Sequence, residues 1–173
     1  QHLDEIVLTK TGLPINGEPH LEPWLNFLHR MKNATKTVRI GLVGKYVELP
    51  DAYKSINESL FQAATYNDRK LDLQYIHSEK LNSGNVDAML SSLDGVLIAP
   101  GFGQRGIEGK FIALKYAREH DIPTFGVCLG MQCMVIEYAR DVLGYTDANS
   151  TEMDVTTKHN VIDLMEEQKS ITN

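Results

Sequence analysis

The segment Gly126-Val127-Cys128-Leu129-Gly130-Met131-Gln132 constrains the fold of this chain more than any other stretch. An apolar run ends in it and an apolar-periodic run begins, so a strand must turn sharply into a helix with a cysteine at the corner. The flanking glycines relieve the steric cost of that turn. A thiol so placed stands at the carboxyl edge of a sheet and against a helix N-terminus, which favours the reactive thiolate. This is the arrangement of a nucleophile elbow, with cysteine in the serine position. The plainer reading of the same residue is a small buried hydrophobe at a strand end.

The elbow is the last of several strand-to-helix units. Residues 37–43 read as a first buried strand, 71–76 as a second, 95–99 as a third and 122–127 as a fourth that runs into the elbow. Helices are expected from an Asp51 N-cap to about Tyr66, over 86–93, over about 110–119 and over 129–143. Ile56, Leu60, Ala63 and Ala64 form the stripe of the first, and Met131, Met134, Val135 and Tyr138 face inward on the last. Strands and helices alternating with short connections imply an α/β fold: a doubly wound, mostly parallel sheet flanked by helices.

The ends of the chain read differently. Residues 1–20 show turn chemistry without clean periodicity, and 22–31 a short helix with Pro23 in its first turn and Trp24, Phe27, Leu28 and Met31 on one face. Residues 1–36 are therefore read as a linker or the tail of a preceding domain, and 37–173 as the α/β domain. At the other end, 148–154 reads as a loop and 155–173 as a polar, loosely periodic tail with no closing strand or helix.

A length of 173 residues suits one such domain. The net charge of −6 without a basic run argues against nucleic-acid or membrane-surface binding. Cys128 and Cys133 are the only cysteines, and their closeness on one helix start makes a disulfide between them unlikely. Reduced thiols, with no signal peptide and no apolar stretch of transmembrane length, point to the cytoplasm.

A second glycine turn, Pro100-Gly101-Phe102-Gly103-Gln104-Arg105-Gly106, also follows an apolar strand. In a parallel sheet both turns emerge on one edge, where ligands gather. The backbone N–H of Gly101 and that of Leu129, directly after the cysteine, could then form a two-donor oxyanion hole. Pro100 has no N–H to offer.

These two turns resemble those of the class I glutamine amidotransferases, the triad glutaminases. The stretch from Gly44 to Ser55 (Gly-Lys-Tyr-Val-Glu-Leu-Pro-Asp-Ala-Tyr-Lys-Ser) and Ala148-Asn149-Ser150-Thr151-Glu152 narrow the resemblance to the glutaminase domains of the CTP synthase family. It runs from about Val38 to Glu152. It implies that Cys128 attacks the side-chain amide of L-glutamine, that Gly101 and Leu129 hold the oxyanion, and that a γ-glutamyl thioester forms and is hydrolysed. The released ammonia would serve a partner amidoligase domain that uses Mg and ATP to aminate UTP to CTP; no cofactor is implied in the glutaminase domain itself. The resemblance further places Phe102, Gln132 and Glu152 at the substrate, Arg105 in a region responsive to GTP as an allosteric activator, and Tyr46 and Lys54 in the interdomain segment. It implies a homotetrameric full enzyme.

Two departures stand out. Pro100 replaces the first glycine of the family's Pro-Gly-Gly-Phe-Gly loop, which stiffens the loop but leaves Gly101 as donor. No His-Pro-Glu, the family's base-and-acid motif, occurs in the 173 residues; of the six histidines only His159 follows Glu152, in a setting that suits a surface loop. The C-terminal part of the domain is thus expected to be missing, and this chain alone to turn over glutamine poorly. A non-catalytic relative with a regulatory or scaffolding role is the alternative. Another cysteine hydrolase on the same sheet, such as a γ-glutamyl hydrolase-like protein, is disfavoured by residues 44–55, which have no role there.

Overall fold

Alternate residues of the two central strands point into opposite layers, and that alternation sets the architecture. On β1 (Lys36–Gly44) Leu42 enters one apolar cluster and Val43 the other. On β3 (Gly95–Ile98) Leu97 joins Leu42, while Val96 and Ile98 join Val43. The computed structural model describes residues 2–17, 20–49 and 51–169. Pro50 in the loop after β1 and the end of the polar tail from residue 170 lie outside the described residues.

The sheet runs β2 (Arg69–His77), β1, β3, β4 (Thr124–Gly126), every pair parallel. One face is covered by α3 (Lys54–Tyr66), whose Ile56 and Leu60 pack over Leu42 and Leu97. The other lies under α4 (Val86–Leu90), α5 (Ile107–Glu119) and α6 (Leu129–Asp141), through Leu90, Phe111, Leu114, Cys133 and Ile136. Each such side chain contributes about 1.5–3 kcal/mol by leaving water. The chain moves from β1 outward to β2 and then back across to β3. The order therefore reverses between β1 and β3, and the crevice at their carboxyl ends is the topological switch point where α/β sheets bind ligands. The loops after β1 and β3, and the elbow after β4, all leave from that edge.

Several local expectations are corrected. Asp51 is not the cap of α3: its carbonyl accepts from the Lys54 N–H at 3.3 Å in a turn, and Tyr53 takes the N-cap position without a side-chain bond. The cause is Tyr53 itself, buried against Leu42 and Leu97 with its hydroxyl accepting from the Tyr46 N–H at 3.3 Å. On α6 the inward face is Leu129, Cys133, Ile136 and Ala139; Met131, Val135 and Tyr138 are exposed, and of the expected set only Met134 packs on the core. Gly130 fixes this phase, because its Cα faces the Ile98 carbonyl so closely that no other residue fits. Glu137 then falls inside, where Arg118 satisfies its carboxylate at 2.7 Å.

The ends also differ. Residues 3–11 form a helix, α1 (Leu3–Thr11), closed by Gly12 at φ 70° and burying none of its residues. The expected helix at 22–31 is α2 (Glu22–Asn33), attached to α3 by the edge-on pair Phe27–Phe61 at 6.2 Å. The loop expected at 148–154 contains β5 (Asn149–Ser150), which pairs parallel with β6 (Asn160–Ile162), and a short α7 (Glu166–Lys169) follows. Two- and three-residue strands carry too little periodicity to be read from sequence.

Candidate active site

Cys128 stands at φ 54° and ψ −112°, a backbone conformation that costs a non-glycine residue of order 1–3 kcal/mol and persists only where its surroundings impose it. They do so on both sides. Before it, the Val127 N–H donates to the Ile98 carbonyl at 3.1 Å; after it, the Cys128 carbonyl accepts from the Gln132 N–H at 3.2 Å. A Cβ on Gly126 would lie 2.5 Å from the Met131 nitrogen, and one on Gly130 2.1 Å from the Ile98 oxygen. The two glycines are thus required by close backbone approach. The result is an exposed free thiol on a strained corner. Cys133, one helical turn on, is the opposite case: fully buried, with desolvation raising its thiol pKa to about 11.

The second glycine turn comes to the same place. Gly101 has φ 156°, and a Cβ there would meet Lys45 Cε at 3.3 Å and Leu129 Cδ2 at 3.9 Å. Among the described residues neither the Gly101 nor the Leu129 N–H finds a protein acceptor. Two open backbone donors therefore stand on neighbouring turns: Leu129 follows the thiol directly, and Gly101 lies against the Leu129 side chain. Two lysines that sequence reasoning passed over hold this loop. Buried Lys45 donates to the Phe102 carbonyl, and Lys110, 1% exposed, donates to the Ala99 carbonyl at 2.7 Å. Lys110 could have been found from its spacing with Ile107, Phe111 and Leu114, which places a lysine on the apolar stripe of α5. Phe102 itself is 79% exposed at the tip of the loop.

Gln132 and Glu152, twenty residues apart, line one groove of about 520 Å³ with Ser150, Thr151, Ile162 and Leu164. The Gln132 Oε1 is buried and meets no donor among the described residues, so the groove presents an unsatisfied acceptor. A side-chain bond ties this wall to the glycine loop: Gln104 Nε2 donates to the Met153 carbonyl at 2.6 Å. Tyr46 and Arg105 also meet, the guanidinium lying 5.4 Å from the ring centroid while it pairs with Glu79 at 2.7 Å. Lys54 opens α3 on the exposed surface and stands apart from both.

All six histidines are engaged elsewhere. His2 and His20 face Glu5 and Glu22, His29 bonds Asn33, His77 accepts from the Glu79 N–H, and His120 stacks on Tyr116. His159, at the start of the β6 segment, bonds Asp147 Oδ1 at 2.6 Å and stacks on Tyr145. The arrangement can therefore present a nucleophile and oxyanion donors, and no imidazole is seen serving the thiol among the described residues.

A cysteine elbow and an open-donor glycine loop meet at the switch point of a 2-1-3-4 parallel sheet, the arrangement of an α/β protein with a nucleophilic thiol. The chain belongs to the class-I glutamine amidotransferase family, whose model matches residues 48–172. It is 68% identical to a CTP synthase of Bacteroides fragilis over 173 residues, 61% to one of Porphyromonas gingivalis over 173 residues, and 56% to one of Flavobacterium johnsoniae over 171 residues. It covers 100%, 100% and 99% of itself in these matches but spans only 32% of each relative's length. Among solved structures it is similar to the glutaminase domain of Trypanosoma brucei CTPS with bound acivicin, with a TM-score of 0.69 and 41% identity over 75% of this chain and 51% of that one.

Proposed function

We propose that this chain is the glutamine-hydrolysing domain of a CTP synthase, with Cys128 as nucleophile. The observation that carries the proposal is the exposed thiol at a left-handed corner with the open N–H groups of Gly101 and Leu129 beside it. The thiolate sulfur adds to the side-chain amide carbon of L-glutamine, and the carbonyl electron pair moves onto oxygen, which those N–H groups stabilise. The pair returns, the C–N bond breaks and the nitrogen leaves as ammonia after gaining a proton. Water then cleaves the thioester to glutamate. No group in this chain is assigned to move those protons. The groove of Gln132 and Glu152 suits the amino-acid end of the substrate: Glu152 complements the ammonium, and the orphaned Gln132 acceptor gains a donor. Phe102, exposed at the tip of the glycine loop, is a further candidate for substrate contact.

The rest of the reading rests on the family resemblance of the sequence. The ammonia passes to an amidoligase domain that uses Mg and ATP to aminate UTP, within a homotetrameric cytoplasmic enzyme. Residues 1–36 are the tail of that domain and the linker after it, and 37–173 belong to the glutaminase domain. Tyr46 and Lys54 face the synthase half, and Arg105, stacked on Tyr46, lies where GTP acts. The test is glutamine hydrolysis and CTP formation by the full-length protein, wild type against Cys128→Ala. Loss of both with glutamine, and retention of CTP formation from added ammonia, is the expected result; glutaminase activity surviving in Cys128→Ala overturns the proposal.

A further inference from the structure

Among the described residues Lys110 is the most deeply buried charged side chain, and its hydrogen bond goes to a backbone carbonyl, not to an acid. An ammonium withdrawn from water without a carboxylate partner costs several kcal/mol, so the fold alone gives no reason to keep it. Its surroundings supply one. The carbonyl it holds belongs to Ala99, two residues before Gly101, and the next hold on the same loop is Lys45 on the Phe102 carbonyl. The loop is thus gripped by cations on both sides of its open N–H. Ala99 is meanwhile fixed to β1 by its own N–H, which donates to the Val43 carbonyl at 2.9 Å.

We infer that Lys110 is a positioning residue for glutamine hydrolysis: from inside the core it fixes the Ala99–Gly101 backbone and supplies positive potential under the oxyanion site. The inference rests on the glutaminase reading above. The titratable groups facing Lys110 are Cys133 on α6, Lys45 after β1 and Cys128 at the elbow. Burial pushes its pKa below the ordinary lysine value; Cys133 opposes this, Lys45 adds to it and Cys128 opposes it. Since the role needs the charged form, kcat should decline as pH rises through that lowered value.

The distinguishing feature is that stability and catalysis separate. Replacing the lysine by an apolar chain of similar length removes a desolvated charge but leaves the Ala99 carbonyl without its donor, and the two effects on stability oppose each other, whereas displacing an oxyanion donor lowers turnover. In the full-length protein, Lys110→Met should therefore change the melting temperature little. Its glutaminase kcat should fall roughly tenfold to a hundredfold with KM for glutamine unchanged, and its alkaline decline in kcat should flatten. Lys110→Gln, which keeps a donor but no charge, should share the loss of the alkaline limb; it also serves if the methionine variant does not fold. A folded variant with wild-type kcat and pH profile overturns the inference, as does a change confined to KM. Cys128→Ala run alongside separates the two readings: if it still hydrolyses glutamine, the glutaminase reading has failed. If it is inactive while Lys110→Met behaves as wild type, only the role of Lys110 has.

Discussion

The two walls of the candidate site are built in opposite ways. The elbow wall (Cys128 and residues 99–103) hangs from the parallel sheet, on the buried β3 and its neighbour β4, and backbone packing too close to admit a Cβ at Gly126 or Gly130 sets its geometry. The substrate wall around Glu152 hangs from two short strands and side-chain bonds on the surface. Asp147 is their hub: its carboxylate takes His159 Nδ1 at 2.6 Å and the Lys158 N–H at 3.1 Å, and its carbonyl takes the Thr157 hydroxyl at 2.6 Å. Bond making needs donors held to a fraction of an ångström, and a core-mounted turn provides this. Holding the amino-acid end of a substrate needs complementary charge more than rigidity, and a loop suffices.

Substitutions on the elbow wall should break this contrast most severely. Cys128→Ala removes the nucleophile and should abolish glutamine hydrolysis while ammonia-dependent synthesis by the full-length protein persists, as steady-state assays with each nitrogen source would show. This chain by itself should hydrolyse glutamine slowly at best, because among the described residues no imidazole reaches the thiol; full turnover by the isolated chain would refute that. Gly130→Ala comes next. Ala favours helices over glycine by about 1 kcal/mol, but its Cβ would sit 2.1 Å from the Ile98 oxygen, a backbone atom that cannot swing aside. The clash prevails, and a loss of about 1–3 kcal/mol in denaturant unfolding is expected, with the elbow displaced and turnover falling further than stability alone explains.

The same contrast explains what was legible in the sequence. The elbow wall could be read because each of its parts has a local signature: an apolar run, glycines on either side of a cysteine, a Pro-Gly loop after a second apolar run. The phase of α6 could not. Met131, Val135 and Tyr138 look like a core stripe, and only the contact of Gly130 with β3, thirty-two residues upstream of it in sequence, turns them outward. Tyr53 displaced the Asp51 cap for a similar reason, a burial that no window of local sequence contains. The substrate wall was readable only through family resemblance. Its strands are too short for a period, and its organising bond joins Asp147 to His159, two residues that look like ordinary surface charge. Lys110 was hidden by its type, since a lysine on a helix is usually solvated.

Smaller effects are expected on the substrate wall, and they should appear in KM. Glu152→Gln removes the charge proposed to meet the substrate ammonium, and KM for glutamine should rise roughly tenfold with a lesser change in kcat. Gln132→Leu is the sharper variant. It deletes a buried acceptor that has no donor among the described residues, so the fold should be no less stable, yet glutamine should bind more weakly. A Gln132→Leu protein that is destabilised would mean that the amide is satisfied from within the protein and does not await the substrate.

Asp147 should give the smallest effect, because it acts on the groove only by fastening the loop that carries Glu152. The hydrogen bond from His159 holds its carboxyl below the ordinary aspartate value, more than offsetting slight burial, and the Lys158 N–H acts in the same sense. A carboxyl whose folded-state pKa is depressed stabilises the fold above its unfolded pKa, and that contribution is lost as pH falls through the folded value. The fastening is therefore complete at neutral pH and weakens only under acid conditions. Asp147→Asn should raise KM for glutamine a few-fold at neutral pH, leave kcat unchanged, and remove the acid-dependent loosening of residues 147–162 seen by hydrogen exchange. Exchange in the Ala99–Gly103 loop should not respond to the same substitution; if both walls loosen together, they form one mechanical unit and the contrast between them fails.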